Sequence, residues 1–466
     1  MQETLSIKGY WWLPDLEENK QPGILTFSQE DGAVLDVVGV LDTSGFTPFK
    51  EPAIILGITQ QGKPITLYKC IHLQMNYPSL GLGFGGEKYF AHFVFEGVHF
   101  SSPEKIMFNC LYAHYDDLDV WVGEHGFSIN TEFTNDGIIS KVSYQTPPEQ
   151  LFKLSDELSV GVAFSSFGPV TSSVQTSAEI SQRANLVVKS NSQDFLFDKL
   201  FAKLNAFSNL LLVAAQRMPI PTIVFGYSQE NGQNHGEGRV HYPKINIYYQ
   251  LIENVQNQKK KIPQELLFTF DDLIDEQIIS WFSSFEEYKT VIQLYKLLFY
   301  TNRSFIEHKF LSIAQSLETL HSILFDNQYL PKDQFKAQKK IVLEAVPPDL
   351  VEWVEMALGS SNYKRFALKI SELLDYKKDI LCELIDDMDL FSRRIKDTRN
   401  EFVHHNKQKK TFRKNELPSA IAVMIMVFEV YLLGIIGFPD EKVLELLEPK
   451  IKTHLTGWKH LRSKSK

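Results

Sequence analysis

Residues Ser392 to Lys414 read SRRIKDTRNEFVHHNKQKKTFRK, and the organisation of the chain can be worked out from this stretch. Nine of its 23 residues are Lys or Arg, against two acids, Asp397 and Glu401. It precedes an apolar run, Ala420 to Phe438, AIAVMIMVFEVYLLGIIGF. That position predicts a helix end followed by an exposed basic loop. Adjacent His404 and His405 lie inside it. Histidine, with an unperturbed pKa of about 6.5, can donate and accept protons near neutrality. Arginine supplies a planar fork that matches phosphate oxygens. Arg and His within one basic patch suit metal-free cleavage of RNA. One group stabilises charge developing on phosphorus, and the other moves the proton of the 2′-OH or of the leaving oxygen. Acid–base help of this kind contributes roughly 10²–10⁴ in rate. The internal 2′-OH nucleophile requires neither a metal nor a cofactor, and none is expected.

Helical geometry sets a condition on such a site. Asn400 and His404 are four residues apart and share a helix face. Arg399 and His404 are five apart and point about 140° away from one another. One helix therefore presents them poorly to a single phosphate. Two copies across a two-fold axis could build a cleft containing both residue types, so a homodimer or higher homo-oligomer is expected.

Working outward, the apolar run Ala420–Phe438 is close to the ~20 residues of a spanning helix. Glu429 sits at its centre, where a carboxylate costs about 2.5–3.5 kcal/mol on insertion scales. The run reads as a buried core helix, and no membrane is expected as a partner. Upstream, residues 287–325, 330–346, 350–358, 363–376 and 381–405 all carry helical patterning, the first as one or two long helices.

Residues 1–175 read differently. Short apolar runs at 33–41, 52–59, 65–73, 89–100, 118–123, 139–144 and 158–164 are rich in β-branched and aromatic residues and are separated by Gly, Pro, Asn and Asp. One helix is predicted at 194–216, then strands at 221–228 and 244–251. The expected fold is α+β and multidomain: an antiparallel β-rich region at 1–255, a linker with connecting helices at 256–300, and an all-α bundle at 301–466.

The chain has 466 residues and a net charge of −9, which excludes a protein that coats nucleic acid along its length. Residues 1–300 carry 21 Lys and Arg against 34 Asp and Glu, whereas 301–466 carry 27 against 23. The positive excess is concentrated in 392–414. The acidic amino-terminal region could mask the basic patch until a trigger binds. Three scattered cysteines, Cys70, Cys110 and Cys382, offer neither a disulfide framework nor a CxxC metal pair. The first residues lack a basic and apolar leader. A reducing cytosol is the expected setting.

Other candidates carry less. The glycines of SLGLGFGGEKY (79–89) do not match GxGxxG and precede a strand pattern, so they read as a turn or bulge. His72, His92, His99 and His114 sit in β patterning and read as structural. His235, Glu237, Arg239 and His241 form a polar loop. No GxSxG and no HExxH is present.

Arg399-Asn400-Glu401-Phe402-Val403-His404 resembles the Rx4-6H motif of HEPN-domain ribonucleases. FLSIAQSLETLHSILF (310–325), with Glu318 in its "LE" position, resembles the opening HEPN helix of the ApeA-like family. NCLYAHYDDLDVWVGEHGF (109–127) resembles the β-rich domain that precedes it there. The resemblance implies a paired helical bundle that cuts RNA without metal as the effector of abortive-infection anti-phage defence. Its amino-terminal domain would sense infection through a phage-derived trigger. Arg399 would stabilise the phosphate, His404 would act as general acid/base, and Asn400 would orient either. His405 and Glu318 would be secondary. Lys407, Lys409, Lys410, Arg413 and Lys414 would track host or phage RNA, tRNA among the candidates. The competing expectation is a non-catalytic HEPN protein that only dimerises and captures RNA. A carbohydrate-binding β domain is a third reading, resting on the aromatic strands alone.

Overall fold

The structure, a computed structural model, describes residues 4–42, 51–76, 85–135, 137–172, 174, 176–234, 240–251, 261–300, 305–404 and 410–462. The chain forms two compact units, Met1–Phe282 and Ser283–Lys466.

The first unit is built on a closed antiparallel barrel. Its strands are β1 (Leu5–Trp12), β2 (Gln21–Ser28), β3 (Gly32–Val38), β4 (Ile54–Thr59), β5 (Pro64–Asn76) and β6 (Gly86–Glu96). They run in the order β6-β3-β2-β1-β4-β5, and β5 pairs again with β6. Alternation places Trp11, Leu25, Phe27, Leu35, Ile55, Leu67 and Val94 in one core. Gly23 and Gly57 face the Trp11 indole so closely that a Cβ at either would collide with the ring. Small residues are required opposite the largest side chain.

One edge of β6 pairs with β5 along its length. The other is divided: Gly86–Ala91 pairs with β3, and Phe93–Glu96 pairs with the strand Ile245–Tyr249. That division joins the barrel to a second run of strands, 245–249, 221–227, 110–115, 178–190, 158–171 and 150–153 in spatial order. The Gly-rich stretch 79–89 ends by opening β6 at Gly86, and its residues 79–84 lie outside the described residues.

Two helices belong to this unit. The run Leu118–Gly123 does not form the expected strand; Leu118–Val122 is a short helix, α1. Trp121 N–H donates to the Asp117 carbonyl, and Gly123 closes the turn with φ +71°. The buried Trp121 ring then packs against Phe207, Phe268 and Phe270. The expected helix at 194–216 is α2 (Phe197–Ala215), whose Leu200, Leu204, Phe207 and Leu211 are fully buried.

The span 256–300 is not a uniform connector. Leu267, Phe268, Phe270 and Trp281 are core residues of the first unit, and Trp281 Nε1 donates to the Ala206 carbonyl at 2.8 Å. The helix α3 (Asp275–Tyr300) starts in the first unit and ends in the second.

The second unit is helical: α4 (Ile306–Leu324), α5 (Lys332–Ala345), α6 (Val351–Leu358), α7 (Phe366–Tyr376), α8 (Lys378–Leu381), α9 (Met388–His404), α10 (Leu417–Ile436) and α11 (Asp440–Arg462). The 381–405 pattern is therefore not one helix. Asp387 interrupts it, because its carboxylate accepts the Leu390 N–H at 2.8 Å and its carbonyl begins α9. Among the described residues α10 is long and apolar enough to cross a membrane, but most of it is buried within the protein. Glu429 is fully buried there and satisfied: Tyr295 Oη donates to it at 2.8 Å and Lys450 Nζ at 2.6 Å. A paired carboxylate is what allows an acidic residue inside an apolar helix.

The candidate active site on the helical unit

The inner stripe of α9 is Phe391, Ile395, Thr398 and Phe402, at helical spacing. Phe402 meets the Phe310 ring of α4 at 5.7 Å, edge to face. Fixing this stripe inward fixes its flanks. At 100° per residue, Arg399 leaves on one flank and His404 on the outer face, about 140° apart. Asn400 and His404 share the outer face; Asn400 is half-buried and His404 exposed at the end of α9.

Arg399 is held from two sides. Its Nη2 donates to Glu318 Oε2 of α4 at 3.3 Å. Its guanidinium carbon lies 4.6 Å from the centre of the Phe366 ring, the first residue of α7. Phe366 itself is buried. Both partners of the ion pair remain partly exposed, with side-chain exposures of 37% and 30%. Such a pair contributes no more than about 1 kcal/mol. The aromatic face is an attraction of about 0.5–2 kcal/mol that holds the guanidinium over the ring. The ion pair is weak enough for a phosphate oxygen to take the place of Glu318 while Phe366 still supports the guanidinium.

The chain beyond the basic stretch returns to α9. Phe412 is buried against Phe391 and Phe310. Its backbone N–H donates to Thr398 Oγ1 at 2.9 Å. Arg394 lies over the Phe412 ring at 4.2 Å and pairs with Glu416 at 2.7 Å. Lys410, Arg413 and Lys414 are exposed around this anchor. His405, Lys407 and Lys409 lie outside the described residues. The structure thus brings Glu318 to Arg399 and leaves His404 on another face of the same helix.

Two features escaped sequence reasoning. Phe366 lies 33 residues before Arg399, in a different helix, and nothing local links the two. The second is a buried polar group beside Glu318. His321, one turn further along α4 and fully buried, meets Glu372 of α7 at 2.6 Å, and Lys364 pairs with the same carboxylate at 2.8 Å. Burial pushes the His321 imidazole below its usual range, against the opposing pull of Glu372. Lys364 and His321 hold Glu372 below the usual carboxylate range despite its desolvation. The histidine in "LETLH" was the available signal.

Two of the histidines read as structural in the first unit donate to backbone carbonyls. His99 Nε2 lies 2.7 Å from the Gly57 carbonyl, and His114 Nδ1 lies 2.7 Å from the Ala184 carbonyl. Among the described residues, no three His, Cys, Asp or Glu side chains are grouped to hold a metal ion.

A β-barrel unit followed by a helical bundle with an Arg–x4–His helix defines a two-part protein with a HEPN carboxyl-terminal domain. A family model described as Apea-like HEPN matches residues 311–442. A second, described as ApeA N-terminal domain 1, matches residues 6–281, more than half of the chain. The chain belongs to the ApeA family. No curated protein and no solved structure matches it.

Proposed function

We propose that this protein is a metal-independent endoribonuclease, the effector of an abortive-infection response to phage in the bacterial cytoplasm. HEPN domains are generally ribonucleases. The observation that carries the reading is Arg399, held by Glu318 and Phe366 on the helix that ends in exposed His404.

In this reading the Arg399 fork binds two non-bridging oxygens of the scissile phosphate and stabilises the charge that grows there. His404 takes the 2′-OH proton or returns one to the 5′-oxygen. The oxygen of the 2′-OH attacks phosphorus, the P–O5′ bond breaks, and a 2′,3′-cyclic phosphate remains. Asn400, on the face of His404, orients the imidazole or the phosphate. The 140° between Arg399 and His404 is met by pairing two HEPN domains, so that each phosphate sees one residue from each copy. Lys410, Arg413 and Lys414 track neighbouring phosphates of host or phage RNA, and the amino-terminal unit senses the trigger.

The test is cleavage of total RNA by purified full-length protein in EDTA. Wild type cuts; Arg399→Ala and His404→Ala lose at least about 10²-fold, the lower end of acid–base assistance. Equal cutting by either variant overturns the assignment, and binding without cutting by wild type returns the protein to the capture-only reading.

A further inference from the structure

Between α4 and α7 the chain leaves the bundle and returns through a narrow neck. Gln328 and Tyr363 form an isolated antiparallel bridge. Tyr329 N–H donates to the Asn362 carbonyl, and Lys364 N–H donates to the Asn327 carbonyl. The buried Asn362 side chain ties both strands of the neck, accepting from Leu330 N–H at 3.0 Å and donating to the Leu330 carbonyl at 2.9 Å. Everything from Pro331 to Ser361 is an arm closed at its base, carrying α5 and α6.

Neither helix of this arm contains a buried residue. Ile341, Trp353 and Met356 are each about two-thirds exposed, and Leu350 and Val342 nearly half. Single exposed apolar residues are ordinary. Two helices with no buried face are not, because isolated helices shorter than about 12–15 residues are marginal in water. The arm needs a partner surface.

The charges identify which one. α5 carries Lys332, Lys336, Lys339 and Lys340 against Asp333 and Glu344, an excess of two positive charges. Pro348–Leu358 carries Asp349, Glu352 and Glu355 and no base. Within the arm the two signs already meet across the helices at Lys339 and Glu355, 2.8 Å apart, and along α5 in a looser, exposed pair, Lys340 to Glu344 at 3.8 Å. Lys332, Lys336, Asp333, Asp349 and Glu352 are exposed, and so is the Lys340–Glu344 pair. A nucleic acid would be drawn to α5 but repelled by α6. A second copy of the same arm, turned by a two-fold, offers an acidic helix to the basic one and a basic helix to the acidic one.

We propose that residues 331–361 form a self-association surface. α5 of one copy lies against α6 of a second, with Ile341, Trp353 and Met356 covered between them and Lys336 and Lys340 facing the second copy's Asp349 and Glu352. This contact uses different helices from the Arg399–His404 site and does not depend on ribonuclease activity.

The test is the mass of the full-length protein by light scattering at micromolar concentration. Lys336→Glu/Lys340→Glu makes both helices of the arm acidic, and Asp349→Lys/Glu352→Lys makes both basic. Each double variant alone shows half the wild-type mass. An equimolar mixture recovers it, since each acidic arm now meets a basic one at both contacts. Trp353→Ala, which changes no charge, halves the mass as well. Wild-type mass in the reversed variants or in Trp353→Ala overturns the proposal, as does a wild type that is monomeric throughout.

Discussion

Arg399 owes its posture to two neighbours of unlike chemistry, an exchangeable carboxylate and a fixed aromatic face. They make separable predictions. Phe366→Leu keeps the burial but removes the quadrupole, so about 0.5–2 kcal/mol of orientation is lost. Single-turnover RNA cleavage falls about 2- to 30-fold, with binding little changed and Phe366→Tyr near wild type. Unaltered cleavage in Phe366→Leu would show that the stack positions nothing. His321 makes a different prediction. Its folded-state pKa is depressed by burial, so the unfolded chain binds more protons as the pH falls through about 6.5. Stability is complete above that value and is lost below it, by at most about 1.4 kcal/mol per pH unit. Denaturant midpoints on both sides of that pH, for wild type and His321→Gln, measure it: the variant should lose less on acidification. Equal losses would exclude His321 as the source.

Among the elements, α10 shows how one buried acid separates a core helix from a membrane span. Removing Glu429 strands Lys450 and the Tyr295 hydroxyl. Glu429→Ala should cost about 1.5–3 kcal/mol, as for hydrogen bonds to charged groups. Tyr295→Phe, which leaves Lys450 on the carboxylate, should cost about 1.5 kcal/mol by urea unfolding, the lower end for a hydrogen bond to a charged group. The helix was legible because its 20 residues are almost continuously apolar. The segments that misled are those where local composition and tertiary context disagree. Leu118–Val122 has strand-forming residues but is wound by the Asp117 carbonyl and the left-handed Gly123. The 381–405 pattern hides a cap, because Asp387 looks like any surface acid until Leu390 N–H bonds to it. The motif residues Arg399, Asn400 and His404 were legible for the opposite reason: their relation is spacing within one helix. Phe366 was not, since its relation to Arg399 exists only in three dimensions. The strand spacing left a sandwich and a barrel equally open; what closes the barrel is β5 pairing with β6 while β6 also pairs with β3, a register that local patterning does not reveal.

Across the whole molecule, the change of charge near residue 300 and the change of packing at Phe282 do not coincide. A helical fragment that keeps part of the expected linker, 264–466, carries Leu267, Phe268, Phe270 and Trp281 away from the first unit that buries them. It should aggregate or bind an apolar dye, whereas a fragment starting at Ser283 should not. Comparable solubility of the two would contradict this division. The distinction matters for testing whether the acidic first unit restrains the basic site, since an aggregated fragment would be misread as an inactive one.

The neck at Asn327–Lys364 has a consequence for modularity. Because both ends of the arm are fastened to each other, the bundle does not register what is attached beyond them. The arm behaves as an interchangeable cartridge. A short turn in its place should leave α4, α7 and the arginine held between them folded as they are, which thermal unfolding of such a deletion would test.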